Sequence, residues 1–463
     1  MTANEEPETG GTPPSTLKFY GLPRLGTSLL LQLVDFVVFF LYTQDKVDGG
    51  VIGLAPLYGG VAAALGKVSI AASQFLVGFA SDHTKSRWGK RRPYVLFGPV
   101  GLTISFVLLF VPTFVFGYDA SQVTYFGWYL TWNCCFQALY GIVTTPYQSM
   151  LPEVVANPDR PAASMWQNVF NMLGTGIGVV YTLLGVTAFK ESFEETGRLD
   201  PGFAGVVVLF GGVLVALFLV MHFKVPASPA EFEESNSNLV ENLKVIASNR
   251  NFLKMTLMHG IASLAWAMVT ALLFGYAEDV LKLSGVLYYA AAAILILGLI
   301  GFLALWRKLI ERRGKKEALK LIFAFEVVAL PFSLVGLVQG DPTALAALGL
   351  TFLVAVTCGL AGWYLFPYLI YADAAEDDQR ATEENKAGVY TGFPSIPLNL
   401  FQALSLFVMG AFVSLPDVPG ATFSWGYVLW GPLAAAYLVV AYLYLKGHVV
   451  LDFAWEGRGR VEP

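Results

Sequence analysis

Residues 78–93 read G-F-A-S-D-H-T-K-S-R-W-G-K-R-R-P, a short polar stretch between two long apolar ones. His83, Lys85, Arg87, Lys90, Arg91 and Arg92 can carry positive charge, and Asp82 stands near the start. A charged side chain at mid-depth in hydrocarbon costs at least ~2–3 kcal/mol, so this stretch lies in water. Its basic character places it on the cytoplasmic side, where loops are enriched in Lys and Arg. The apolar segments flanking it then cross a membrane in opposite directions.

Further apolar runs of about twenty residues, enough to span the hydrocarbon as a helix, recur along the whole chain. Only 14% of its 463 residues are charged and 56% are hydrophobic, with a mean hydropathy of +0.59; soluble domains carry about a quarter charged residues. The expected class is an all-α polytopic membrane protein. The net charge of −5 averages two membrane faces and identifies no partner. Cys134, Cys135 and Cys358 all fall in apolar segments, which argues against a disulfide framework or a thiolate metal site. The first seventeen or so residues lack the apolar core of a cleavable signal peptide.

Apolar runs between polar punctuation predict twelve helices near 25–43, 52–80, 94–116, 123–149, 163–188, 203–223, 252–277, 284–306, 317–338, 343–371, 388–414 and 424–446. Starting inside, twelve crossings return the chain inside, so both termini are expected in the cytoplasm of a cell-membrane protein. Of the Lys and Arg residues, Lys46, Lys190, Arg198 and Lys282 fall in predicted outer loops and Lys67 inside a helix. All the others fall on the inner side, as the positive-inside rule requires. The hinge S-R-W-G-K-R-R around Gly89 recurs as E-R-R-G-K-K-E around Gly314, and Pro146-Tyr147 recurs as Pro367-Tyr368. The two pairs share nearly one offset, so the chain reads as two six-helix halves in parallel. These occupy 25–223 and 251–446, with an N-terminal tail over 1–24, a linker over 224–250 and a C-terminal tail over 447–463.

Within the helices, Asp35 lies about eleven residues in, hence ~16 Å deep at ~1.5 Å per residue. Lys67 stands at comparable depth on the second helix. An isolated carboxylate there is costly and tends to take up a proton, so the two are candidates for a titrating pair that couples proton occupancy to the opening of a cavity. A static interhelical ion pair is the structural alternative. His259 reads as a polar residue near the inner interface, and Glu326 as a protonated or helix-paired acid.

The stretch 66–94, with S-R-W-G-K inside it, resembles the helix-two-to-three segment of plant sucrose/proton symporters and bacterial melibiose carriers. T-P-Y-Q-S-M-L-P-E (145–153) and A-D-A-A-E-D-D-Q-R-A-T-E-E-N-K-A-G-V-Y (372–390) resemble the glycoside–pentoside–hexuronide cation symporters of the major facilitator superfamily. That resemblance implies twelve helices around a central cavity lined by helices one, two, four, five, seven, ten and eleven. It also implies that Asp82, Arg87, Arg91 and Arg92 act in gating the inner face. The chain departs from the family where Ile70 and Gln74 replace two helix-two aspartates, Thr144 the acid before the helix-four proline, and Leu398 or Asn399 the helix-eleven lysine. Gln137 stands near the helix-four acid of the sucrose symporters, and Asn168 near the helix-five arginine. A proton is therefore expected as coupling ion rather than sodium.

On those lining helices, amides and aromatics suit a neutral sugar or glycoside, whose hydroxyls need hydrogen bonds and whose C–H face packs on a ring. The candidates are Gln32, Gln74, Asn133, Gln137, Gln167, Asn168, Asn171, Trp266, Trp363, Tyr364, Tyr390, Asn399 and Gln402. No phosphate loop, zinc-ligand spacing, nucleophile elbow or nucleic-acid motif occurs, so no enzyme, cofactor, metal or nucleic-acid partner is expected; membrane lipids are. Alternatives are a lysophospholipid carrier and a non-transporting membrane scaffold, the latter marked by an apolar seal where the cavity would be.

Overall fold

A backbone in hydrocarbon has no water for its N–H and C=O groups, so each apolar run must close its own hydrogen bonds as a helix. The computed structural model describes residues 12–44, 52–155, 159–196, 201–226, 244, 248–283, 285–338, 342–382, 393–453 and 455. Among the described residues twelve long helices follow one another. The first six are α1 (Pro14–Thr43), α2 (Pro56–His83), α3 (Arg92–Phe110), α4 (Gln122–Ser149), α5 (Arg160–Thr196) and α6 (Pro201–Lys224). The second six are α7 (Arg250–Val280), α8 (Gly285–Arg313), α9 (Lys315–Leu337), α10 (Pro342–Thr382), α11 (Ser395–Val413) and α12 (Gly426–His448).

Ten of these helices are long and apolar enough to cross a membrane. The other two are α4, which intersperses Asn133, Gln137 and Gln148 among its apolar residues, and α5, which carries Gln167, Asn168 and Asn171 near its start. Several boundaries differ from expectation. α1 begins at Pro14, inside the expected tail, with proline in the first turn where its missing N–H costs nothing. The helix expected over 94–116 breaks at Val111, because Pro112 cannot donate to the preceding turn. α10 runs on to Thr382 through a polar extension. The expected linker lies mostly outside the described residues.

The packing repeats with a shift of six helices. In the first half α1 packs on α5, α2 on α4, and α3 on both α4 and α6. In the second, α7 packs on α11, α8 on α10, and α9 on both α10 and α12. Across the halves α1 meets α7, α2 meets α11 and α5 meets α8. The two basic hinges repeat as well. Gly89 has φ +97° and Gly314 has φ +86°, a left-handed conformation that favours glycine. Arg91 pairs with Glu153 after the first hinge, and Lys315 pairs with Asp373 at 2.5 Å after the second. α1 and α7 are the most buried helices. Phe97, Leu209, Val328 and Leu443 are among the exposed apolar side chains that face outward from the bundle, where lipid would cover them.

The C-terminal segment contributes to the fold at this basic end. Gly314 has no side chain to cap α9. Asp452 does so instead, accepting from the Lys315 N–H at 2.7 Å and the Lys316 N–H at 3.1 Å. Losing a capping carboxylate costs about 1 kcal/mol. Asp452→Ala therefore lowers the thermal unfolding midpoint in detergent, while Asp452→Asn, which keeps one acceptor, lowers it less. Equal midpoints for Asp452→Ala and the parent would remove the capping role.

Candidate functional site

Two thirds of the way along α1 the helix widens into a single π turn, Val34–Val38, an irregularity that recurs at functional sites. It presents Asp35 toward α2, where Lys67 Nζ lies 2.9 Å from Asp35 Oδ1. The Lys67 side chain is 10% exposed and that of Asp35 29%. Two opposite charges so placed offset the desolvation that either would suffer alone.

The pair forms one wall of a cavity of about 150 Å³ between the two halves. α4 adds Tyr129, Asn133 and Gln137, spaced four residues apart and therefore on one helix face. From the second half come Trp266 and Thr270 on α7, Trp363 and Tyr364 on α10, and Gln402 on α11. The Trp266 and Trp363 rings stack with centroids 5.9 Å apart and planes at 22°. Behind them His259 packs edge-on to Trp363 at 4.6 Å, with its Nδ1 2.6 Å from the Tyr371 hydroxyl.

Asn133 donates to the Ala62 carbonyl at 2.9 Å. Two other polar atoms on the cavity residues are unsatisfied. Among the described residues, Gln137 Oε1 and Trp266 Nε1 are buried without a hydrogen-bond partner. Such atoms cost ~1–3 kcal/mol each when left unpaired, and one is an acceptor while the other is a donor.

α2 and α11 bound the cavity on both sides. Toward the end opposite the basic hinges, Gly60 faces Gly410 so closely that a methyl built on Gly60 would lie 2.6 Å from Gly410 Cα. Phe40 and Phe274 meet edge-to-face at that end, 5.2 Å apart. Toward the basic end, Asn399 Nδ2 donates to Gln74 Oε1 at 3.3 Å, joining the halves.

The remaining sequence candidates take other positions. Gln32 packs beside Gly178 of α5, Asn171 accepts a hydrogen bond from Ser28, and Asn168 is exposed on α5. Gln167 donates to the Tyr147 hydroxyl at 3.1 Å. Tyr390 and the side chain of Asp82 lie outside the described residues. At the basic end Arg91 also reaches the Ser149 carbonyl, and Arg92 donates to the Val225 carbonyl at 2.8 Å. The Arg87 guanidinium lies 4.5 Å over the ring of its neighbour Trp88. Glu326 is fully buried in α9 against Gly359 and does not line the cavity. Tyr129 and Thr270 were missed by sequence reasoning. Each stands four residues from a candidate, Asn133 and Trp266 respectively, and that spacing was the available signal.

Residues 19–443 match the family described as MFS/sugar transport protein. A symporter of Synechocystis sp. is 22% identical over 469 residues, covering 84% of this chain and 84% of that protein. Sodium-dependent lysophosphatidylcholine symporter 1 of Mus musculus is 23% identical over 372 residues, covering 74% of this chain and 66% of that protein. Among solved structures, a D-xylose-proton symporter superposes with a TM-score of 0.67 at 13% identity, covering 95% of this chain and 97% of that one. That likeness concerns the fold.

Proposed function

This chain belongs to the MFS/sugar transport protein family, and we propose that it carries a sugar or glycoside by alternating access, coupled to a proton rather than to sodium. The observation that supports this most is the polar chamber between the halves, whose lining residues Gln137 and Trp266 each keep a buried polar atom without a hydrogen-bond partner. A sugar hydroxyl both donates and accepts, so a bound sugar suits both kinds of atom. Its C–H face can lie on the Trp266–Trp363 surface. A non-transporting scaffold has no use for a polar chamber at this depth.

Parting Gly60 from Gly410 would open the chamber to one side, and parting Gln74 from Asn399 to the other. Two halves rocking about a midplane site do this in turn. Asp82, Arg87, Arg91 and Arg92 would stabilise one of the two arrangements at the basic end, which we assign to the cytoplasm together with both termini. Asp35 is the group that takes the proton, with Lys67 as its partner. A lysophospholipid is less well suited, because a chamber of about 150 Å³ with this many polar walls fits a compact solute better than an acyl chain.

The test is uptake of labelled sugars and glycosides into proteoliposomes under an imposed proton or sodium gradient. Uptake driven by sodium and indifferent to Asp35→Asn would refute the proton reading. A second check separates binding from folding. Gln137→Leu removes a buried, unpaired acceptor, so the apo protein melts no lower than its parent, whereas substrate affinity falls about tenfold for one lost hydrogen bond of ~1.4 kcal/mol. Lower stability with unchanged affinity would mean Gln137 serves packing.

A further inference from the structure

The C-terminal segment does more at the basic end than cap α9. The chain leaves α12 extended at Val449, and Val449, Leu451 and Phe453 are buried while Val450 is exposed, the alternation of an extended strand of chain. The base of this segment is held on two helices. Asn251, in the first turn of α7, donates to the Val450 carbonyl at 3.1 Å and accepts from the Val450 N–H at 3.0 Å. Asp452 takes the two α9 N–H groups. The tip is held on a third helix and more lightly. Trp455 stacks on Phe453, with ring centroids 6.0 Å apart and planes at 13°, and reaches the polar extension of α10. There its Nε1 donates to Asp377 Oδ1 at 3.2 Å, and the Arg380 guanidinium lies 4.6 Å over its ring. Arg380 is oriented by Glu376, one turn back, at 2.6 Å. The Arg380 and Glu376 side chains are 55% and 46% exposed, so water competes for the tip contacts.

The helices so joined are those that carry the stacked tryptophans of the chamber, Trp266 on α7 and Trp363 on α10. In the first half the counterpart of α10 is α4, which stops at Ser149. Its end is fastened by a buried exchange, Tyr20 donating to the Tyr147 carbonyl at 2.7 Å and Tyr147 to the Tyr20 carbonyl at 2.6 Å. A buried fastening of that kind persists through a cycle, whereas a wet one on a helix that runs on to Thr382 can be let go. Resting on the transport reading above, we propose that Trp455 is a releasable latch on α10. Docked on Asp377 and Arg380, it holds the α10 extension beside α7 while the basic end is closed. Undocked, it lets the extension swing away and opens the chamber to that side. Trp455 touches no substrate and acts by positioning α10. Asn251 and Asp452 keep the base in place, so the tip redocks at high effective concentration. One hydrogen bond and one exposed cation–π contact together bias the closed arrangement about tenfold, enough to shift populations and little enough to break in every cycle.

The experiment uses the full chain with Cys134, Cys135 and Cys358 replaced by Ser and one reporter, Thr256→Cys. Thr256 is buried on α7, three residues from His259 and so on the face that meets Tyr371 of α10. Labelling by a water-soluble maleimide is followed without substrate, so this arm does not depend on the compound carried. Trp455→Ala is expected to raise the labelling rate about tenfold. Trp455→Phe, which keeps a ring over Arg380 but loses the N–H, raises it less. A cysteine at Thr43, buried at the opposite end, gains no reactivity from Trp455→Ala, which separates release of the latch from general loosening. In a second arm, without the reporter, Trp455→Cys is joined to Asp377→Cys by a bifunctional methanethiosulfonate. Gradient-driven uptake is expected to stop in the linked protein and to return on reduction with dithiothreitol. Parental labelling of Thr256→Cys in the Trp455→Ala protein, or parental uptake in the linked protein, overturns the latch and leaves the transport reading standing. Equal gains at Thr256 and Thr43 overturn it as well, by making the segment a structural brace. Failure of every sugar and glycoside under both proton and sodium gradients removes the transport reading, and the labelling arm alone then decides whether Trp455 holds α10 in place.

Discussion

Asp35→Asn is expected to abolish accumulation of substrate under a pH gradient. Asparagine has nearly the shape of aspartate and can still accept from Lys67, but it cannot take up a proton and release it on the other side. Lys67 is left as a mostly buried ammonium with a neutral partner, and removing one member of a buried pair typically costs about 3–5 kcal/mol. Asp35→Asn should therefore also lower the unfolding midpoint of the substrate-free protein. Combining it with Lys67→Gln removes both charges and restores much of that stability, because the penalty lies in the uncompensated charge. It does not restore accumulation. The double-mutant cycle thus separates a structural ion pair from a coupling pair: thermal stability recovers in the double variant, and gradient-driven uptake stays absent. If Asp35→Asn accumulates substrate at the parental level, the pair is structural and the proton is carried elsewhere.

Gly60→Val is expected to stop the cycle by a different route. A side chain at Gly60 would run into the Cα of Gly410 and the Leu406 carbonyl, and backbone atoms cannot rotate away as a side-chain tip can. Overpacking a tight contact costs ~1–3 kcal/mol, equivalent to a ~5–150-fold shift against the arrangement in which this end is closed. Each half keeps its own packing, so the protein stays folded and monodisperse. The signature is kinetic and positional. Transport drops by ~5–150-fold, and a cysteine placed at Thr43, buried near the closed end, becomes reactive to a water-soluble maleimide. The measurement is made with Cys134, Cys135 and Cys358 replaced by Ser. Normal transport in Gly60→Val would show that α2 and α11 need not approach so closely at any stage.

Much of the architecture was legible in the residues themselves. Hydrocarbon leaves a backbone little choice but helix, and ~20 apolar residues span it, so the run of twelve helices follows from hydropathy. The paired hinges at Gly89 and Gly314, and the depth of Asp35 and Lys67, needed only counting along helices of known rise. The stripe of Asn133 and Gln137 on α4 was visible for the same reason, and extending it one turn back reaches Tyr129.

Which way each helix turns about its own axis was decided only in three dimensions. That rotation comes from side chains packing across the bundle, and no local period records it. Gln32, Asn168 and Asn171 are as polar as Gln137, yet the close approach of α5 to α1 sends them elsewhere. Gln74 and Asn399 stand 325 residues apart, and the docking of α2 on α11 makes them neighbours. The π turn that aims Asp35 at Lys67 has no signal in local composition. Chemistry along the chain determined that this protein spans a membrane as two similar halves; the mutual fit of those halves determined which polar groups share a chamber, because contacts between distant segments depend on shape complementarity that only the assembled bundle possesses.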